Sequence, residues 1–339
     1  MRRTDPDAPG ISRRRRGEGF SYHLPNGRLV SAEVRTRIGE LAIPPAWTEV
    51  WISTDPDVHL LATGVDDAGR TQYLYHTQWR VERDAEKFER VTAMTRRLPR
   101  FRRAVDADLG ERRLSRARVI ALVLWLLDTG ALRIGSTAYE DEHGSHGATT
   151  LLVDHVRDRG DGVELEFPAK SGQTSTMLLH HPPTVRTLRA LRRAGSHGDH
   201  LMRYRDGQGG TVEVSATMVA DRFAALVGPD HTVKDLRTWA ATVAAAEALA
   251  ATGPADDERG VDAAIRDAVQ VAADSLGDTV SVARNSYVDP RLLSAYREGR
   301  TVTPPRRPGE EHSPAVRRRI ERELARLLSD TASPLEEAG

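Results

Sequence analysis

The 339 residues include no cysteine, which excludes a disulfide framework, a thiolate zinc site and a cysteine nucleophile. Long apolar runs are missing too. The longest, Val119 to Leu127, falls well short of the about 20 residues that a membrane-spanning helix needs. The basic run Arg13 to Arg16 is not followed by an apolar stretch, so no secretory signal peptide is expected. These absences lead to the expectation of a soluble, cytoplasmic protein that does not engage membranes. Net charge is also lacking, since 49 Lys and Arg balance 49 Asp and Glu. A neutral total argues only weakly against a polyanionic partner, because distribution matters more. Residues 88–119 carry ten arginines against four acids, whereas 254–267 carry five acids against two arginines. Such segregation lets one face meet a polyanion while another stays acidic. A genome that favours Arg and Asp would give the same composition without any function.

Lysine is nearly absent. Of 49 basic residues only Lys87, Lys170 and Lys234 are lysine. Arginine stays protonated at any ordinary pH, whereas lysine gives up a proton once its pKa is pulled down. Each lysine is therefore a candidate for work that arginine does not do, set against simple chance survival.

What is present divides the chain into regions. Residues 1–17 are polar and basic and read as a disordered tail. From 18 to 85 short strand-like pieces, LVSAEV, VWISTD, HLLATGVD and TQYLYH, are separated by Pro, Asp and Gly turns. Asp67-Ala68-Gly69 reads as a hairpin turn, which puts Tyr73 and Tyr75 on one strand face and Gln72 on the other. The pattern turns helical near Trp79, with a break at Pro99. SRARVIALVLWLLDTG reads as a helix capped by Ser115 and stopped at Gly130. Within 86–300, TTLLVDHV, VELEFP and TSTMLLHH are spaced as a three-stranded β-meander, with Lys170 at the second turn. Four further helical segments follow. Residues 301–339 read as a proline-rich linker and a basic amphipathic helix. The expected class is α+β: a small β-rich N-terminal domain and a larger, mainly α-helical domain carrying the meander.

With core positions set aside, Arg133 in LRIG, Lys170 on a hairpin tip, Arg237 in KDLRTWA and Tyr287 in SVARNSYVDP remain. This set suits a phosphodiester. Arginine binds phosphate oxygens through paired hydrogen bonds, tyrosine can attack phosphorus, and lysine can protonate an alkoxide leaving group. None of these roles needs a metal or cofactor. Taken singly, each residue also has an ordinary explanation: a helix-end cation, a solvated turn, a surface ion pair, a core aromatic.

Order and context point further. LRIG, FPAKSG, KDLRTWA and SVARNSYVDP resemble, in that sequence, the first arginine, lysine, second arginine and nucleophile segments of the poxvirus and bacterial type IB DNA topoisomerases. The resemblance covers roughly residues 18–300 and is strongest in KDLRTWA with its downstream tyrosine. It implies that Tyr287 attacks a DNA phosphodiester to form a 3′-phosphotyrosine, that Arg133 and Arg237 stabilise the transition state, and that Lys170 is the acid for the 5′-oxygen. Strand rotation and religation would relax supercoils without ATP or metal. GRTQYLY resembles the family's DNA-touching strand, which makes Arg70, Gln72, Tyr73 and Tyr75 expected DNA contacts. Tyr139 in the loop after LRIG and Lys234 join them. The two domains would clamp a duplex, the protein acting as a monomer in association with the nucleoid.

One position departs from the pattern. Nine residues before the tyrosine, the family has a histidine, or asparagine in bacterial members; here it is Asp278. An ionised carboxylate would repel the phosphate. Three readings stand: Asp278 is protonated and donates, it turns away and orients Arg133 or Arg237, or it impairs the site and leaves a slow enzyme. The loop acids and histidines Asp141, Glu142, His143 and His146 lack a fixed ligand geometry and read as a polar loop. The alternatives are a tyrosine recombinase, which uses similar chemistry but is not expected to carry a β-rich N-terminal domain, and a non-catalytic DNA clamp disabled by Asp278.

Overall fold

The computed structural model describes residues 1–130, 132–135, 140, 144–304 and 313–331. It divides into two compact units, Met1–Glu86 and Lys87–Gly339. The first is a small β-sheet unit and the second is mainly α-helical, a mixed α+β fold.

In the first unit, strands β1 (Ile11–Arg16), β2 (Gly19–His23), β3 (Thr48–Ile52), β4 (Leu60–Val65) and β5 (Thr71–Tyr75) form one antiparallel sheet, ordered β2-β1-β3-β4-β5. Ile11, Val50, Ile52 and Ala62 bury one face against Ile38 of helix α1 (Ala32–Glu40). Two expectations are corrected here. The basic segment read as a disordered tail supplies β1. Pairing with β2 and β3 satisfies its backbone, while Arg13 lies over the Phe20 ring and donates to the Pro44 carbonyl. LVSAEV does not form a strand either. The Ser31 side chain accepts from the Val34 N–H, and this N-cap starts α1 one residue later. The β4–β5 turn falls at Asp66–Arg70, as the Asp-Ala-Gly signal predicts. The Gly69 N–H donates to the Asp66 carbonyl, and Gly69 has φ +73°, where a glycine is favoured.

Helix α2 runs over Thr77–Met94. In the second unit, α3 (Leu98–Leu109) has Pro99 in its first turn, where a missing N–H costs nothing. Helix α4 (Arg116–Asp128) begins at the Ser115 cap and is buried nearly all round. Strands β6 (Val156–Arg159), β7 (Gly162–Pro168) and β8 (Thr174–Leu179) pair antiparallel in chain order. Most of TTLLVDHV lies ahead of β6 rather than in it, since a 3₁₀ turn at Val153–His155 takes its end. A short hairpin of β9 (Arg203–Arg205) and β10 (Thr211–Glu213) was not expected, although Asp206-Gly207 and Gly209-Gly210 between its strands are turn signals. It separates α5 (Pro182–Ala194) from α6 (Ala216–Val227). Then come α7 (Val233–Thr252), α8 (Glu258–Leu276), α9 (Val280–Ser286), α10 (Pro290–Arg297) and α11 (Pro314–Ser329). One apolar core, with Leu122, Phe223, Trp239, Val269 and Leu324 fully buried, joins these helices to the β6–β8 sheet. No helix among the described residues is long and apolar enough to cross a membrane.

Candidate active site

Helix α7 places Arg237 in its second turn. The Asp235 carboxylate accepts from the Thr232 N–H at 2.8 Å, which fixes the start of that helix, and Arg237 is buried two residues on. Only 5% of its side chain is exposed. The guanidinium donates from Nη1 to the Gly130 carbonyl (2.7 Å) and from Nη2 to the Leu276 carbonyl (2.9 Å). Nη2 also donates to Asp278 Oδ2 at 2.9 Å. Gly130 must be glycine here: it has φ +81°, and a Cβ would lie 2.3 Å from that of Ala240. Burial, then the nearby Arg133 charge, pulls the Arg237 pKa below its usual range, while Tyr287 and Asp278 oppose the shift. An arginine remains charged even so.

Arg133 lies three residues beyond Gly130. Its Nη2 donates to Asp278 Oδ1 at 2.7 Å. The Arg133 carbonyl accepts from the Ala148 N–H and the Ile134 carbonyl from the Thr149 N–H, pinning this segment along residues 147–149. Gly135 and Gly147 make that approach feasible, because a Cβ on Gly147 would lie 2.5 Å from Gly135 Cα. The His146 N–H then donates to the Pro168 carbonyl at the end of β7, two residues before Lys170. Arg133 and the Lys170 hairpin are thereby tied through one loop. Both line a cleft of about 700 Å³ that also includes His146, Met177 and Leu276. Lys170 is exposed and opens a 3₁₀ turn between β7 and β8.

Asp278 follows α8, which ends at Gly277 in the left-handed conformation. Its side chain is 11% exposed, and each carboxylate oxygen takes one arginine. Tyr287 caps the C-terminus of α9 and is half-buried. The Arg237 guanidinium lies 5.5 Å from its ring centre, within cation–π range. The Tyr287 carbonyl accepts from Thr242 Oγ1 at 3.1 Å, and the same hydroxyl accepts from the Asp289 N–H at 3.2 Å. Arg133, Arg237, Asp278 and Tyr287, spread over 155 positions of sequence, thus meet in one place, and Lys170 shares the cleft with Arg133.

Sequence reasoning missed the Gly130 and Leu276 carbonyls and Thr242. A backbone acceptor leaves no residue-type signal. Thr242 did leave one: it is a hydroxyl, 1% exposed, in the alanine-rich run AATVAAAEALAA.

Of the expected DNA contacts, Tyr73 and Tyr75 stack at 6.1 Å and 14° and are 50% and 38% exposed, a large share for aromatics. Gln72 Nε2 donates to Asp66 Oδ2 (2.8 Å), and Arg70 Nε donates to the same oxygen (3.1 Å). Lys234 is exposed in the first turn of α7. Tyr139, with Asp141, Glu142 and His143, lies outside the described residues. His146 Nδ1 donates to the Thr150 carbonyl at 2.7 Å, and among the described residues no group of three His, Asp or Glu is placed to hold a metal ion.

The family description "Eukaryotic DNA topoisomerase I, catalytic core" matches residues 76–298, and "Bacterial DNA topoisomerase IB, N-terminal domain" matches 19–66. The chain is 28% identical over 296 residues to the DNA topoisomerase 1B of Acanthamoeba polyphaga mimivirus, covering 85% of this chain and 88% of that one. It is 29% identical over 134 residues to the DNA topoisomerase 1 of Mycosarcoma maydis, which is 38% of this chain but only 13% of that protein. The solved XerH site-specific recombinase bound to its difH substrate in a pre-cleavage complex aligns with a TM-score of 0.33 at 13% identity. That alignment spans 69% of this chain and 59% of the recombinase, a likeness too slight to bear on fold or function.

Proposed function

The chain belongs to the type IB DNA topoisomerase family, and from that premise we propose that it relaxes supercoiled duplex DNA by transient cleavage of one strand. The observation that carries this reading is the convergence of Arg133 and Arg237 on one anion beside Tyr287. Two guanidiniums fixed on a carboxylate form a ready anion seat, and a phosphodiester offers the same pair of oxygens.

In this reading the Tyr287 hydroxyl attacks phosphorus. The new bond is Oη–P, the bond broken is P–O5′, and the phenol proton is released. Lys170 gives a proton to the departing 5′-oxygen, a role suited to a lysine in an arginine-rich chain. Arg133 and Arg237 neutralise the charge that grows on the non-bridging oxygens. Arg237 is held by two backbone carbonyls before substrate arrives, so little reorganisation is left for the transition state. Return of the 5′-hydroxyl reverses the step and keeps the bond energy, which makes ATP unnecessary.

Asp278 occupies the anion seat in the free protein and keeps two like charges together. The scissile phosphate replaces it there, and the displaced carboxylate costs some transition-state stabilisation. Lys234, Tyr139, Arg70, Gln72 and the exposed Tyr73–Tyr75 pair serve as contacts to the DNA. Backbone contacts of this kind make affinity fall steeply with salt. The protein acts as a monomer.

The test is relaxation of a plasmid without recombination sites, in EDTA and without ATP. Relaxation of both positive and negative supercoils is expected. Strict dependence on magnesium, or activity only on plasmids carrying paired sites, would overturn the reading.

A further inference from the structure

A charge network that this chemistry leaves unused, one member buried and three half-buried, lies along helix α11. That helix buries Ile320, Leu324 and Leu328 in the core, and with them Glu321, 7% exposed. Arg102 of α3 reaches two carboxylates at once. It donates to Asp128 from Nε (2.7 Å) and Nη2 (3.0 Å), and to Glu321 from Nη1 (2.6 Å) and Nη2 (2.8 Å). Arg317 completes the set, with Nε on Glu321 (3.2 Å) and Nη2 on the Asp128 carbonyl (2.9 Å). Two cations and two anions balance. Burial alone lowers the Arg102 pKa, but Glu321 and Asp128 outweigh it and raise the pKa. Removing Arg102 strands the buried Glu321 carboxylate, and removing Glu321 leaves Arg102 with Asp128 alone.

The position of this network matters more than its charge. Asp128 ends α4 two residues before Gly130, whose carbonyl receives Arg237. The far end of α11 reaches the other half of the site. The Leu328 carbonyl accepts from Arg291 Nη1 at 3.4 Å, and Arg291 forks onto Asp289 at 3.1 and 2.8 Å. Asp289 is two residues past Tyr287, and its N–H is held by Thr242. One helix therefore grips the backbone that carries the Arg237 acceptor and the backbone that carries the nucleophile.

We propose that α11 is a strap that sets the two halves of the active site in register, with Glu321 and Arg102 as positioning residues. This rests on the roles given above to Arg237 and Tyr287. The strap predicts that loosening α11 slows bond cleavage without weakening DNA binding, because neither Glu321 nor Arg102 needs to touch DNA.

The test compares the full chain carrying Glu321→Gln with Leu188→Ala, a cavity variant in the core contact of α5, where Leu188 is fully buried. The second variant sets how far lost stability alone slows the enzyme. Glu321→Gln is expected to slow single-turnover cleavage at least about tenfold relative to Leu188→Ala, with DNA affinity kept within about twofold. Hydrogen exchange without DNA is the second readout. Peptides covering 128–135 and 284–291 should both lose protection in Glu321→Gln and keep it in Leu188→Ala. Exchange is independent of whether Tyr287 is the nucleophile, so the strap and the proposed reaction fail separately. Unchanged protection at either segment, or cleavage slowed no further than in Leu188→Ala, overturns the proposal. Arg317→Gln, on a side chain 33% exposed, serves in its place if Glu321→Gln does not fold.

Discussion

Replacing Asp278 by Asn should make the protein less stable and faster at the same time. Asp278 joins Arg133 at 2.7 Å and Arg237 at 2.9 Å, and only 11% of its side chain is exposed. A hydrogen bond to a charged group contributes about 1.5–3 kcal/mol, and breaking a buried pair costs about 3–5 kcal/mol. Asn keeps one acceptor oxygen, and Arg133, 29% exposed, regains water. The expected loss is therefore about 2–4 kcal/mol. For a unit of this size that is a fall in Tm of roughly 5–10 °C. Cleavage should move the other way. A carboxylate about 5 Å from the phosphate, at an effective dielectric constant of about 20, opposes it by about 3 kcal/mol. A tenfold gain in single-turnover cleavage needs only about 1.4 kcal/mol of this. The assay is the cleavage rate on one suicide substrate across pH, with thermal unfolding measured in parallel, for wild type, Asp278→Asn and Asp278→His. A carboxylate that was protonated and donating would instead make the wild-type rate fall as pH rises. Variants slower than wild type at every pH would mean that the carboxylate is needed to aim the arginines, and would refute the reasoning.

Lys170→Arg should keep DNA affinity but lose cleavage of an ordinary phosphodiester, because charge is retained and the transferable proton is not; a substrate with a 5′-bridging sulfur, whose leaving group needs no proton, should restore the rate, and absence of rescue would remove Lys170 as the acid. Burial and the neighbouring His146 push His155 down to about 4, against about 6.5 in the unfolded chain. Between these values the unfolded state binds a proton that the folded state refuses, so stability falls as pH drops from 6.5 towards 4, by at most about 1.4 kcal/mol per unit. His155→Asn should flatten that part of a Tm-against-pH curve, and an unchanged slope would place the titration elsewhere.

The parts of this molecule that sequence reveals are those that local chemistry decides. Ser115, Pro99 and Gly130 marked the ends of helices because capping and left-handed turns are local events. Arg133, Lys170, Arg237 and Tyr287 stood out because few jobs suit that set, and the fold does bring both arginines and the tyrosine together around Asp278. What stayed hidden depends on distant partners. The Arg13–Arg16 run has no apolar anchors of its own, and it becomes a strand only through β2 and β3. Asp278 left three readings open, one of them that it orients Arg133 or Arg237, and nothing in its own segment shows that both arginines share its oxygens. The basic amphipathic pattern of 314–329 gives no sign that Glu321 is buried. Its burial became visible only with Arg102, 219 positions away, beside it.

The most direct test of Tyr287 as the nucleophile is to trap the protein on duplex DNA, denature it, digest both and locate the nucleotide adduct by mass spectrometry. A nucleotide joined through its 3′-phosphate to Tyr287 is expected, with no adduct in Tyr287→Phe although that variant still binds DNA. An adduct on another residue, a 5′-linkage, or an adduct that persists in Tyr287→Phe would contradict it.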